Sequence, residues 1–122
     1  AHFLEEHRSV KIVHFPGLRS FPQYGLARRQ MDGPGAMLSF ELRGGRGAGR
    51  RFVESVRVAT LAVSLGGMET LVQHPASMTH GPLTESERRT AGVTDGLVRV
   101  SVGLEDIDDL VDDFSRALKK SR

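Results

Sequence analysis

Ile107, Leu110, Val111, Phe114 and Leu118 recur at the three-and-four spacing of a helix face. This stripe predicts an amphipathic helix packed along one side. Acidic residues crowd its first turns, and Lys119, Lys120 and Arg122 follow its end, as the helix dipole favours. Leu97 to Val102 alternates instead with the two-residue period of a strand. Val98, Val100 and Val102 then share one face, expected to lie under helices, while Leu97, Arg99 and Ser101 share the other. Met37 to Leu42 alternates in the same way, and Val10 to Phe15 does so more weakly. Val58 to Val63 is mostly apolar or β-branched and reads as a buried strand.

The remaining elements follow from breakers and caps. Ala1 to His7 reads as the tail of a helix, and Pro22 to Met31 as a short helix with proline near its start. Asp32-Gly33-Pro34-Gly35 ends that helix. Gly44 to Arg46 breaks the pattern before a helix over Gly47 to Val56. His74 to Pro82 reads as an ordered loop. Thr84 with Glu87 three residues later predicts a capping box, and Gly92 closes the helix it starts. Helices and strands interleave through short connections. The expected fold is α/β, with a mainly antiparallel sheet and helices packed on one face.

Composition narrows the class. A chain of 122 residues with 39% apolar residues suits one folded domain. The absence of cysteine excludes disulfides and thiolate zinc sites, and fits a reducing, cytoplasmic setting. No apolar run is long enough to span a bilayer, and no basic-then-apolar start suggests a signal peptide. The net charge of +2 is too small to imply a nucleic-acid partner. Charge is uneven, however: residues 1–61 carry ten Lys/Arg against five Asp/Glu, and residues 62–122 carry seven against ten.

Several residues could carry chemistry. The run Arg43 to Arg51 could bind phosphate or RNA, yet it fits neither GxxxxGK[ST] nor GxGxxG and lacks aromatic residues for base stacking. It reads as a turn and the solvated start of a helix. The five histidines form no HExxH-type pair, and Ser77 with His80 has no spacing that positions an attack. Arg99 stands inside a regular strand, where a guanidinium needs an anion or water beside it. Its planar fork suits a carboxylate, but on spacing alone a structural ion pair or an exposed arginine is favoured. Ser64-Leu65-Gly66-Gly67 is by default a tight turn, whose glycines also allow another element or a ligand to come close.

Three long segments in order carry a family resemblance: Thr60 to Leu71 (TLAVSLGGMETL), His74 to His80 (HPASMTH) and Asp95 to Asp106 (DGLVRVSVGLED). Pro16-Gly17-Leu18, Gln30-Met31 and Met37 to Phe40 also fall in the expected order. With these segments the chain resembles the Cys/Met metabolism enzymes that depend on pyridoxal phosphate (PLP), a family of γ-lyases and γ-synthases. The resemblance implies the small C-terminal domain of an aspartate-aminotransferase-like fold. Residues 1–8 would end the interdomain helix and residues 9–122 would form the small domain.

The resemblance further implies a carbon–sulfur lyase acting on a sulfur amino acid by γ-elimination, of the methionine γ-lyase type. Cystathionine γ-lyase or γ-synthase chemistry is the alternative. A stand-alone anion- or protein-binding domain without catalysis is the reading of a different class. Arg99 matches the arginine that grips the substrate carboxylate. Ser64 matches a serine at the edge of the active site, and Val63 a position facing the substrate side chain. Cystathionine-handling members commonly carry glutamate at that last position. Nothing matches the cofactor lysine, so PLP is expected in a large domain that this chain lacks, and the chain alone is expected to be inactive. The resemblance also implies a homotetramer for the full-length parent.

Overall fold

The computed structural model describes residues 1–122. In chain order the elements are α1 (His2–Glu6), β1 (Val10–His14), α2 (Tyr24–Gln30), β2 (Met37–Leu42), α3 (Gly45–Ser55), β3 (Thr60–Leu61), β4 (Leu71–Gln73), a single 3₁₀ turn (Pro75–Ser77), α4 (Glu85–Thr90), β5 (Leu97–Ser101) and α5 (Ile107–Lys120). The strands form one sheet in the order β1-β2-β5-β4-β3. All neighbours are antiparallel except β3 and β4, which run parallel. The mainly antiparallel α/β layer expected from the sequence is therefore the fold observed.

Alternation decides the two faces. Leu38, Phe40 and Leu42 on β2 are buried with Val98 and Val100 on β5, and Phe40 lies opposite Val98 in the ladder. On that face Phe52 of α3 stands edge-on to Phe40, with ring centroids 5.2 Å apart at 87°. Phe114 of α5 stands edge-on to Phe52 in turn, at 5.3 Å and 84°. Edge-to-face contacts of this kind add about 0.5–1.5 kcal/mol each beyond burial. Leu110, Phe114 and Leu118 of the α5 stripe are buried, whereas Ile107 remains 67% exposed beyond the sheet. Helix α3 begins at Gly45, two residues before the sequence expectation. Burial of Ala48 and Phe52 outweighs the poor helix propensity of its glycines. The capping box at Thr84 forms as expected, with the Thr84 hydroxyl and the Glu87 carboxylate each taking a backbone N–H.

One expectation is overturned. Val58 to Val63 is not a buried strand. Only Thr60 and Leu61 pair, at the sheet's outer edge, and Val58 and Val63 are exposed. Within the run only Ala59 is buried. An apolar run of this length resembles a central strand, but its place in the strand order leaves one side without a neighbour. The inner place beside the central strand β5 is taken by β4, a three-residue strand that the period-two pattern is too short to reveal.

The edge strand is positioned from outside the sheet. The fully buried carboxylate of Asp113 on α5 accepts the backbone N–H groups of Arg57, Val58 and Ala59 at 2.8–3.0 Å. It also pairs with Arg116. Four donors converge on one carboxylate, and they fix the path by which the chain leaves α3 and enters β3.

Removing that carboxylate strands three amides and a guanidinium. Asp113→Ala should therefore cost about 3–5 kcal/mol, the range for breaking a buried charge pair. Urea denaturation of wild type and variant measures this as a lower midpoint. A loss below about 1 kcal/mol would show that water replaces the carboxylate at no great cost.

Candidate functional site

The face of the sheet turned away from α3 and α5 is polar at its centre. Arg99 on β5 stands directly between Ser39 on β2 and Gln73 on β4 in the register. Its Nη2 donates to the carbonyls of Val63 and Ser64, both at 2.8 Å. Two residues along the same strand face, the Ser101 hydroxyl accepts the Gly66 amide at 2.8 Å. Arg99 and Ser101 thus hold both ends of the Val63–Gly66 loop across β5. The structural ion pair favoured from spacing does not form: the partners of Arg99 are main-chain carbonyls. Its Nε is buried without a partner.

The far end of the loop is held by Glu105. Its carboxylate accepts the Thr70 amide and the Thr70 hydroxyl, each at 2.6 Å. The same hydroxyl accepts the Gly103 amide at 2.8 Å, and the Leu104 amide donates to the Met68 carbonyl at 2.8 Å. Gly103 lies so close to the Met68–Thr70 backbone that any β-carbon there would clash with it. Burial raises the Glu105 pKa and is the largest single influence. The Thr70 hydroxyl, the Thr70 amide and its own amide together outweigh it and hold the carboxyl below the usual range.

The three residues singled out by the resemblance lie together. Val63 and Ser64 are exposed on the loop that Arg99 grips. Leu61, Leu65 and Met68, in and flanking that loop along the chain, are also exposed and form its apolar rim. An anion with an apolar tail fits such an arrangement: the charge meets Arg99 and the tail meets the rim. The larger cavities lie elsewhere. An apolar groove of about 370 Å³ lies between Phe3, Phe15, Val102 and the start of α5, and a polar one of about 330 Å³ lies beside α2. Arg99 lines neither of them.

No lysine is placed to complete that surface. Lys11 pairs with Glu41 at 3.4 Å on the edge strand β1, and Lys119 and Lys120 are exposed at the end of α5. The basic run Arg43 to Arg51 is the start of α3, as read from the sequence. There Arg50 pairs with Glu54, and Arg51 caps the Ser121 and Arg122 carbonyls.

Beside the site, His74 has a structural place, and Arg88 is a buried residue that the sequence reading did not single out. His74 is fully buried, with Nε2 at 2.8 Å from the Asp95 carbonyl and Nδ1 at 2.7 Å from the Ser77 hydroxyl. A carbonyl can only accept, so Nε2 carries the proton and Nδ1 accepts from Ser77. Arg88, only 4% exposed, donates to the Leu83 carbonyl and the Asp95 carboxylate. Together they fasten the 74–96 segment to the root of β5. Sequence spacing gives no sign of these contacts, because each residue also needs a main-chain carbonyl that the fold brings to it.

A family model described as "Cys/Met metabolism PLP-dependent enzyme" matches residues 1–119. L-methionine gamma-lyase of Pseudomonas putida is 58% identical over 121 residues, which covers 99% of this chain and 30% of that protein. The enzyme of the same name from Treponema denticola is 55% identical, over 98% of this chain and 30% of its own length. A crystal structure of cystathionine gamma synthase from Xanthomonas oryzae pv. oryzae, in complex with aminoacrylate and cysteine, matches with a TM-score of 0.90 and 50% identity. That match covers 99% of this chain and 31% of the solved one. The chain thus spans about 30% of the length of these relatives.

Burial holds the His74 imidazole below its ordinary pKa of 6.5, against the pull of the Asp95 carbonyl, and Arg46 adds to the lowering. Below pH 6.5 the unfolded state therefore binds more protons at this residue than the folded state does. Stability should fall as pH drops through that window, and His74→Gln should flatten the slope. Urea titrations of both proteins at pH 7.5, 6.5 and 5.5 measure it, and parallel pH profiles would exclude His74 as the source.

Proposed function

This chain belongs to the Cys/Met metabolism PLP-dependent enzymes, and we propose that it forms the substrate-carboxylate wall of a carbon–sulfur lyase of the methionine γ-lyase type. The observation that carries this reading is Arg99, set in the middle of a strand and tied to the loop that bears Val63 and Ser64. Arg99 meets the α-carboxylate of a sulfur amino acid. Ser64 borders the same carboxylate, and exposed Val63 meets the side chain.

Pyridoxal phosphate is the family's cofactor. The residues of this chain do not form a site for it: the three lysines are exposed and away from Arg99's loop, and the Gly66 amide that an anion could use is taken by Ser101. In this reading the cofactor is held by a companion part of a longer protein, which faces Arg99 and closes the open wall. Helix α1 is then the end of the helix that joins the two parts, and the assembled enzyme is a cytoplasmic homotetramer.

Val63 favours elimination from methionine over cystathionine chemistry. A carboxylate at this position would meet the distal ammonium of cystathionine. Facing a methylthio group, the same carboxylate would be left desolvated or would take up a proton, and both are costly. Valine offers the thioether an apolar wall instead. The γ-synthase and γ-replacement reading keeps its own support, from the 50% identity to the Xanthomonas synthase.

Arg99→Ala in the full-length enzyme should lower kcat/KM at least roughly a hundredfold, about 3 kcal/mol of transition-state binding. A loss under tenfold would make Arg99 a structural residue. Methionine or homocysteine should exceed cystathionine in kcat/KM, and Val63→Glu should move the ratio toward cystathionine. A wild-type enzyme that prefers cystathionine would overturn the substrate assignment. The isolated 122-residue chain mixed with PLP should show no stoichiometric incorporation at a lysine by mass spectrometry.

A further inference from the structure

Two buried polar atoms near the site have no partner: Nε of Arg99, a donor, and Oε1 of Gln73, an acceptor. They belong to residues directly opposite each other on β5 and β4, so both side chains stand on the same face of the sheet. Cross-strand neighbours have β-carbons roughly 4.5–5.5 Å apart, within reach of two long side chains. Gln73 is only 3% exposed, and its β4 neighbours Leu71 and Val72 are buried too. A glutamine at such a depth needs a reason, since each unpaired buried group opposes folding.

The orientation of the carboxamide is set from behind. Gln73 Nε2 donates to the Thr79 hydroxyl at 3.1 Å. That hydroxyl lies 2.9 Å from His80 Nδ1 and can donate its own proton there. The relay leaves Oε1 as the free end of the amide. On the other side, both N–H groups of Arg99 Nη2 are used by the Val63 and Ser64 carbonyls. Nε is buried and beyond the reach of a ligand approaching the open face. Only Nη1 is left for such a ligand.

We propose that Gln73 is the positioning residue of this grip: its Oε1 takes the Nε–H of Arg99 in the substrate-bound enzyme and so aims Nη1 at the carboxylate. Gln73 touches no substrate. It acts through Arg99, with Thr79 fixing the direction of its amide. The inference rests on the reading of Arg99 as the carboxylate contact.

The test uses the full-length holoenzyme and two inhibitors of equal length, norleucine and its carboxamide, which lacks the negative charge. Their inhibition constants are measured against turnover of the best sulfur amino acid. Gln73→Met keeps the length and removes the acceptor. It should weaken norleucine at least tenfold and the carboxamide less than twofold. Thr79→Val should weaken norleucine selectively by at least threefold, and it decides the matter if melting curves show that Gln73→Met does not fold. Any smaller selectivity, or equal weakening of both inhibitors, overturns the proposal. Arg99→Lys is measured in parallel. If it fails to separate the two inhibitors, the carboxylate reading itself falls. If it separates them and the Gln73 and Thr79 variants do not, only the role of Gln73 falls.

Discussion

The hydrogen bonds from Arg99 to the carbonyls of Val63 and Ser64 connect the sheet to everything at the site. A guanidinium on a strand must be solvated or paired, and here two carbonyls of one loop supply the pairing. Charge-assisted bonds of this kind are worth about 1.5–3 kcal/mol each. They define the loop's position relative to β5, and Ser101 repeats the hold two residues further on. The residue proposed to meet the substrate is therefore also the one that shapes the wall around it. Nη2 alone makes these bonds, which leaves Nη1 for the binding role proposed above.

The two faces of the sheet divide the work. One is closed by the Phe40, Phe52 and Phe114 stack and gives the domain its apolar core. The other carries Ser39, Gln73, Arg99 and Ser101 and receives the loop. Three buried or half-buried anchors fix the segments that surround this second face. Asp113 holds the entry to β3, Glu105 holds Thr70 at the entry to β4, and His74 with Arg88 holds the segment before β5. Each anchor is a side chain taking or giving main-chain hydrogen bonds, so each fixes backbone where regular pairing is absent. The longest irregular stretches of the chain can then carry a defined surface despite their few ladder bonds.

The proposed substrate wall would let one domain suit relatives with different reactions. The lyases and the synthase share at least 50% identity with this chain. In the proposed reading, carboxylate recognition is common to amino-acid substrates and depends on Arg99 of β5, the sheet's central strand. The residue proposed to face the side chain, Val63, sits on an exposed loop, where it can change without disturbing the core. Val63 is 55% exposed and is not part of the core, so in that reading its identity is free to follow the substrate.

The amino-acid pattern alone determined the elements whose signal is local. The α5 stripe, the β2 and β5 alternation and the Thr84–Glu87 cap each depend on residues within a few positions of one another, and all three form. Alternation also put Arg99 and Ser101 on the face opposite Val98 and Val100, which is where they lie. Strand order was not legible. Val58 to Val63 has the composition of a buried strand, yet it stands at the edge, because burial depends on neighbours that the run itself does not encode. Short β4 escaped for the converse reason: three residues are too few to show a period, and without its register Gln73 could not be placed opposite Arg99. The tertiary structure also decided that Arg99 meets carbonyls instead of a carboxylate, and that His74, Arg88 and Asp113 are buried. Those partners lie between 3 and 56 residues away along the chain, and most come within hydrogen-bond distance only through the packing of strands and helices.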